Sequence, residues 1–196
     1  IADTNEGEIT ELMIGRALAD HDFTHKTYYG TEAVAMQAEG LSGDSFEDIS
    51  FTLHKGEIMA FTGLQSSGRD MLADALFGVI PHTGKLTIAG KPVDHASIRG
   101  FMRRGVGMVP RARKERGILN DLSIIDNNSM GFLNTLQKRL LINVKHERAR
   151  YHRVKDALQL KADNPKNPIT SLSGGNQQKV ILGRWLETNA DVLIFD

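Results

Sequence analysis

Cysteine is absent from the 196 residues, which excludes a disulfide framework and a cysteine-based metal site and suits a reducing compartment. No excess charge of either sign is present: 24 lysines and arginines balance 24 aspartates and glutamates, and the pI is about 7.2. No global field therefore favours nucleic acid or anionic lipid. No apolar run approaches the roughly 20 residues that span a bilayer, so a membrane role has to come through a partner. No signal peptide is visible, because the chain opens Ile1-Ala2-Asp3 and turns polar at once. Internal repeats and low-complexity tracts are missing too. His21 and His25 stand four apart on a possible helix, but no third ligand type lies near, which argues against a metal there. What remains is a chain 40% hydrophobic and 24% charged, enough for one domain of moderate size with a real core.

The most informative stretch is Leu172-Ser173-Gly174-Gly175-Asn176-Gln177-Gln178-Lys179. Two glycines behind a serine open a predicted helix from Asn176 to about Glu187, whose apolar stripe is Val180, Ile181, Leu182, Trp185 and Leu186. A helix start offers unpaired N–H groups and partial positive charge; Ser173 adds a hydroxyl, and Gly174 and Gly175 admit a ligand close to the backbone. Val192-Leu193-Ile194-Phe195-Asp196 then reads as a buried parallel strand ending in a carboxylate.

Apolar residues Ile9, Leu12, Met13, Ala17 and Leu18 recur at helical spacing in residues 1–25, and residues 26–33 read as a linker. Alternation at Val34, Met36 and Ala38, and again at Ile49, Phe51 and Leu53, predicts antiparallel strands broken at Gly43-Asp44 and Lys55-Gly56. Ile58-Met59-Ala60-Phe61 is expected as a buried strand running into Gly63. A short helix over Met71–Phe77 should stop at Gly78, with a hairpin at Leu86, Ile88 and Gly90 and a core strand at Val106–Val109 ended by Pro110. Residues 118–170 look helical, with Ser123 and Asp126 as a cap, and a loop at Asn164–Pro168 leads into the serine-glycine stretch.

Gly63-Leu64-Gln65-Ser66-Ser67-Gly68-Arg69-Asp70 lies between strand and helix in the frame of the G-x4-G-K-[S/T] phosphate loop. The glycine spacing fits, and Gln65, Ser66, Ser67 and Gly68 would present amides to phosphate oxygens. Arg69 replaces the lysine with a broad planar cation. Asp70 replaces the metal-binding hydroxyl and is expected to satisfy the helix-start amides itself. Two negative charges about 4 Å apart repel by about 4 kcal/mol at an effective dielectric of 20, so weakened phosphate binding is expected. The run Arg111-Ala112-Arg113-Lys114-Glu115-Arg116 is either a phosphate-facing or interface patch or a solvated loop.

The signature and the strand that follows it resemble the ABC-transporter ATPase family, with its LSGG signature and Walker B strand. The continuation Asn176-Gln177-Gln178-Lys179, with Gly183-Arg184-Trp185-Leu186, is similar to the second nucleotide-binding domain of tandem bacterial sugar-importer ATPases. The resemblance implies a P-loop NTPase α/β fold with a parallel core sheet, an antiparallel β flank (mainly 34–62 and 84–93) and a helical subdomain at about 112–172. It implies residues 1–25 as the end of a preceding ATPase domain and 34–196 as the nucleotide-binding domain, truncated after Walker B. It implies ATP and Mg2+ as ligands, Asp196 as the catalytic, metal-linked carboxylate, and Gly63, Gln65, Ser66, Ser67, Gly68, Arg69, Asp70, Ser173, Gly174, Gly175 and Gln177 around the nucleotide. Arg111 departs from the glutamine, or glutamate, that the family carries after this strand. An adenine-stacking aromatic would be Phe46 or Tyr28/Tyr29.

The implied partners are a first nucleotide-binding domain in the same subunit, transmembrane permease subunits and, indirectly, a periplasmic sugar-binding protein, with no nucleic acid. The implied place is peripheral, on the cytoplasmic face of the inner membrane. The permease should dock beside residues 110–117, near Ile118, Leu119 and Leu122, unless these are core. An ABC-type ATPase of DNA repair or translation is the alternative; the interval from Gly68 to Leu172 lacks room for the long coiled-coil insertion of the repair type.

Overall fold

The computed structural model describes residues 31–64, 66–93, 97–132, 137–138, 141–188 and 190–196. The helical reading of 1–25, linker residues 26–30 with Tyr28 and Tyr29, and Gln65 lie outside the described residues.

The alternating segments form the first sheet. β1 (Val34–Gly43) and β2 (Phe46–His54) make a hairpin across Asp44–Ser45, and β3 (Thr83–Ile88) pairs with the other edge of β1 and continues into β4 (Lys91–Pro92). All pairings are antiparallel, in the order β2-β1-β3-β4. Met36 faces Ile88 and Ala38 faces Leu86; all four are buried, so β1 and β3 turn a common apolar face inward. Ala89 and Gly90, with φ of 48° and 72°, close the β3–β4 turn, a conformation that suits glycine at the second position.

Against this face lies α1 (Arg69–Leu76), which buries Leu72, Ala75 and Leu76 and ends before Gly78, where φ is 76°. A Cβ at Gly68 would stand 1.8 Å from the Ser45 carbonyl oxygen, and φ there is 79°. Glycine is therefore what lets the loop before α1 rest on the β1–β2 turn. Next come α2 (Ile98–Arg103), started by Ser97 accepting from the Gly100 N–H at 3.1 Å, and β5 (Val106–Val109), buried along its whole length.

Beyond Pro110 the chain makes a π-type turn at Arg113–Gly117 and enters α3 (Ile124–Ser129). The expected cap is present in reciprocal form: Ser123 Oγ accepts from the Asp126 N–H, and the Asp126 carboxylate accepts from the Ser123 N–H. A hairpin of β6 (Gln137–Lys138) and β7 (Leu141–Ile142) interrupts the helix expected over 118–170. Strands of two residues are too short to show a period, so spacing alone does not separate them from helix. α4 (Val144–Ala157) buries Tyr151 and Val154. It meets α5 (Gly174–Leu186) at Gly183, where a Cβ would stand 2.1 Å from a Val154 methyl.

α5 reaches back to the strands through Trp185, whose indole N–H donates to the Met108 carbonyl at 2.6 Å and whose ring meets Phe77 edge-on at 5.8 Å. β8 (Val192–Phe195) pairs in parallel with β5, Val106 with Val192 through Val109 with Phe195.

Two buried-strand expectations are corrected. Residues 58–61 form no strand, and Ile58 is 95% exposed. β8 has Val192 in the core, but Phe195 is 65% exposed. The cause is shared: a strand is buried by neighbours on both edges, and among the described residues 58–61 has no pairing partner while β8 has only β5.

Candidate functional site

The phosphate-loop residues sit at the start of α1. Ser67 N–H donates to the Leu64 carbonyl at 3.0 Å, a tight turn, and a Cβ on Gly63 would fall 2.6 Å from Ser67 Oγ. Ser66, Ser67 and Arg69 are exposed. Asp70 does not cap the helix as expected. Its Oδ2 instead accepts from Arg111 Nη2 at 2.6 Å, while Arg69 Nε lies 3.5 Å from Oδ1. A guanidinium in contact gives the carboxylate a stronger partner than a frayed amide, and it offsets the repulsion toward phosphate.

The basic run is largely exposed, yet three of its arginines are engaged by neighbouring elements. Arg111 holds Asp70, Arg116 Nη2 donates to Asp74 Oδ1 at 2.6 Å, and Arg113 Nε donates to Gln177 Oε1 at 3.3 Å. Arg116 is held more firmly protonated than usual, chiefly by its hydrogen bond to Asp74; partial burial opposes this, and the charges of Asp74 and Asp196 add to it. The Asp196 N–H donates to the Val109 carbonyl at 3.1 Å, so this carboxylate and the arginine loop leave the paired strands at one edge. None of these arginine roles was legible beforehand; the only signal was the density of cations after Pro110.

The signature lies at the start of α5. Ser173 is exposed at the N-cap with extended backbone. Its Oγ accepts from Asn176 Nδ2 at 3.0 Å, which leaves the hydroxyl proton for an outside acceptor. A Cβ at Gly175 would meet nothing within 4 Å, whereas one at Gly174 would meet Arg113 Nη2 at 2.4 Å. Gln177, expected beside the nucleotide, is 7% exposed; its amide donates to the Leu172 carbonyl at 3.1 Å and the Ile169 carbonyl at 3.4 Å. Its place is under the signature, steadying the turn that carries Ser173.

Arg184 adds a second support. It is 7% exposed, donating from Nε to the Asn127 carbonyl at 3.0 Å and from Nη2 to the Gly117 carbonyl at 2.9 Å, and burial pulls its pKa down to about 10. Phe46 packs in the core against Gly43 and offers no free face for a base. Ile118 is core, while Leu119 and Leu122 are exposed.

A turn in the frame of a phosphate loop, a serine-glycine helix start and a carboxylate beyond a parallel strand pair are the arrangement of a nucleotide-handling α/β domain. The family profile described as ABC transporter matches residues 46–196, and the chain belongs to that family. The chain is 33% identical over its whole length to the ribose import ATP-binding protein RbsA of Geobacillus kaustophilus, covering 40% of that protein. It is 34% identical to the xylose import ATP-binding protein XylG of Pseudomonas savastanoi pv. phaseolicola (39% of that protein), and 36% identical to the arabinose import ATP-binding protein AraG 2 of Burkholderia thailandensis (38%); both matches span the whole chain. It thus spans about two fifths of the length of these relatives.

Among solved structures, the ATP-binding cassette MJ0796, a dimer in a post-hydrolysis state with ADP and Pi, superposes with a TM-score of 0.67 at 16% identity, over 82% of this chain and 73% of that one. CbiO1 of Clostridium perfringens gives 0.66 at 21%, over 84% and 66%. The α/β ABC ATPase fold is therefore shared. Membership implies ATP, with Mg2+ its usual companion.

The residues present fit the divalent ion poorly. Asp70, at the position expected to hold it, is already engaged by a guanidinium at 2.6 Å. No described helix is long and apolar enough to cross a membrane.

Proposed function

We propose that the chain is part of the ATP-hydrolysing subunit of an ABC importer for a monosaccharide or related small polyol. In this reading its own phosphate loop is degenerate and binds ATP weakly, and its signature completes the ATP site of a partner nucleotide-binding domain in the same subunit. The subunit works peripherally at the cytoplasmic face of the inner membrane, with permease subunits and an external sugar-binding protein. The sugar-import names of relatives that match the whole chain support this, and they give no support to a role in DNA repair or translation.

The observation that carries the division of labour is the contrast at two helix starts. Asp70 on α1 is tied to Arg111, while Ser173 on α5 stands exposed with a hydroxyl proton to give and Gly175 opens onto free space. At the partner's site Ser173 would donate to the γ-phosphate and the Gly174–Gly175 amides would close over it, groups that strengthen as charge develops on the phosphoryl oxygens. Exposed Leu119 and Leu122, beside the arginine loop, are the candidate permease contact.

In the full-length subunit assembled with its permease, Ser173→Arg should lower transport and ATPase activity to near background, and Arg69→Ala should lower both only mildly. The reverse ranking would show that this chain's own loop is the working one.

A further inference from the structure

The loop after β5 places two guanidinium groups over two carboxylates of α1, one in its first turn and one in its second. Arg111 Nη2 lies 2.6 Å from Asp70 Oδ2, and Arg116 Nη2 lies 2.6 Å from Asp74 Oδ1. Arg69 adds a third cation 3.5 Å from the other Asp70 oxygen. Asp196 is close enough to Arg116 to reinforce its protonation.

We infer that Arg111 stands in for the divalent ion at this phosphate loop, so that the loop takes a phosphate ligand only without its metal. The inference rests on the reading of this loop as degenerate and says what makes it so. A divalent ion here needs hard, anionic oxygens at short range and gives up its water reluctantly. At Asp70 the carboxylate is already engaged: a metal there would have to displace Arg111 and would then sit against two guanidinium cations, Arg69 and Arg111, that cannot lose their charge. The exchange is balanced within the chain, because Asp70 faces Arg111 as a carboxylate–cation pair, with the cation supplied by residue 111 instead of by solvent.

Iron-directed cleavage of the full-length subunit reads the site directly. Fe2+ takes the place of Mg2+ and, with ascorbate and peroxide, cuts the backbone beside wherever it is bound; the fragments are mapped by mass spectrometry in the presence of a saturating non-hydrolysable ATP analogue. The wild-type subunit should show no Mg2+-suppressible cuts at residues 63–70, 110–111 or 196. Asp70→Thr combined with Arg111→Gln should open the site and bring such cuts to these positions, while Arg111→Lys, which keeps a cation, should not.

Mg2+-suppressible cuts at these residues in the wild-type protein would overturn the inference, and this reading requires no variant. A double variant that melts like wild type and still shows no cuts would also overturn it, since Arg111 would then not be what excludes the metal. Failure here is separable from failure of the functional reading: a metal-bound wild-type loop alongside a lethal Ser173→Arg leaves signature donation intact.

Discussion

The starts of α1 and α5 carry two glycine-serine turns of similar composition, and they end in opposite states. At α1, Gly68 is pressed onto the Ser45 carbonyl and Asp70 is drawn into an ion pair with Arg111. At α5, Gly175 faces open space and Ser173 keeps a hydroxyl proton to give. The same loop serves both ends, because Arg111 and Arg116 bind α1 while Arg113 fills the hollow that Gly174 leaves and holds Gln177. Composition alone therefore does not make a phosphate receptor; what matters is whether the surrounding chain has already used the donors and the space.

The support beneath α5 is where a single change should do the most damage. Arg184→Ala removes the buried donors that Arg184 gives to the Asn127 and Gly117 carbonyls inside the fold. The expected loss is about 2–4 kcal/mol in denaturant unfolding, with the signature region losing hydrogen-exchange protection before α1 does.

Next in size is the contrast between glycines. Gly68→Ala forces a side chain into a left-handed residue and onto a carbonyl oxygen, so a loss of at least about 1–2 kcal/mol is expected. Gly175→Ala meets nothing and should change stability by less than about 0.5 kcal/mol while impairing ATPase activity of the assembled transporter. Equal destabilisation by the two would erase the distinction between a packed turn and an open one.

The smallest effect lies behind α5, at Tyr151, whose buried hydroxyl has no partner among the described residues. Tyr151→Phe should be neutral or stabilising by up to about 1 kcal/mol. Burial also raises the Tyr151 pKa above 10.0. The unfolded chain therefore loses this proton first, so its contribution is intact below about pH 10 and falls as pH rises toward the folded value. The phenylalanine variant should lack that part of the alkaline decline in melting temperature.

Much of the scaffold was legible from local pattern. Alternation marked β1 to β3, Pro110 the end of β5, Ser123 and Asp126 the start of α3, and the spacing of Val180, Ile181 and Trp185 the buried face of α5. Ile58–Phe61 was misread because an apolar run carries no information about whether a neighbour is there to pair with it. At the site, the identity of Ser173, Gly174 and Gly175 was enough to draw attention to α5. The pairing of Arg111 with Asp70 and of Arg116 with Asp74 joins residues 41 and 42 positions apart, and no short-range rule relates them. Gln177 was placed around the nucleotide by the family resemblance alone, whereas at this point in the first turn its side chain points into the fold.

Vanadate photocleavage of the full-length transporter reads both helix starts at once, since vanadate trapped with ADP occupies the γ-phosphate position and ultraviolet light cuts the chain that touches it. The expected result is a cut at Ser173–Gly175 with none at Gly63–Asp70. A cut at Gly63–Asp70 with the signature left whole would contradict the division between a closed phosphate loop and an open signature.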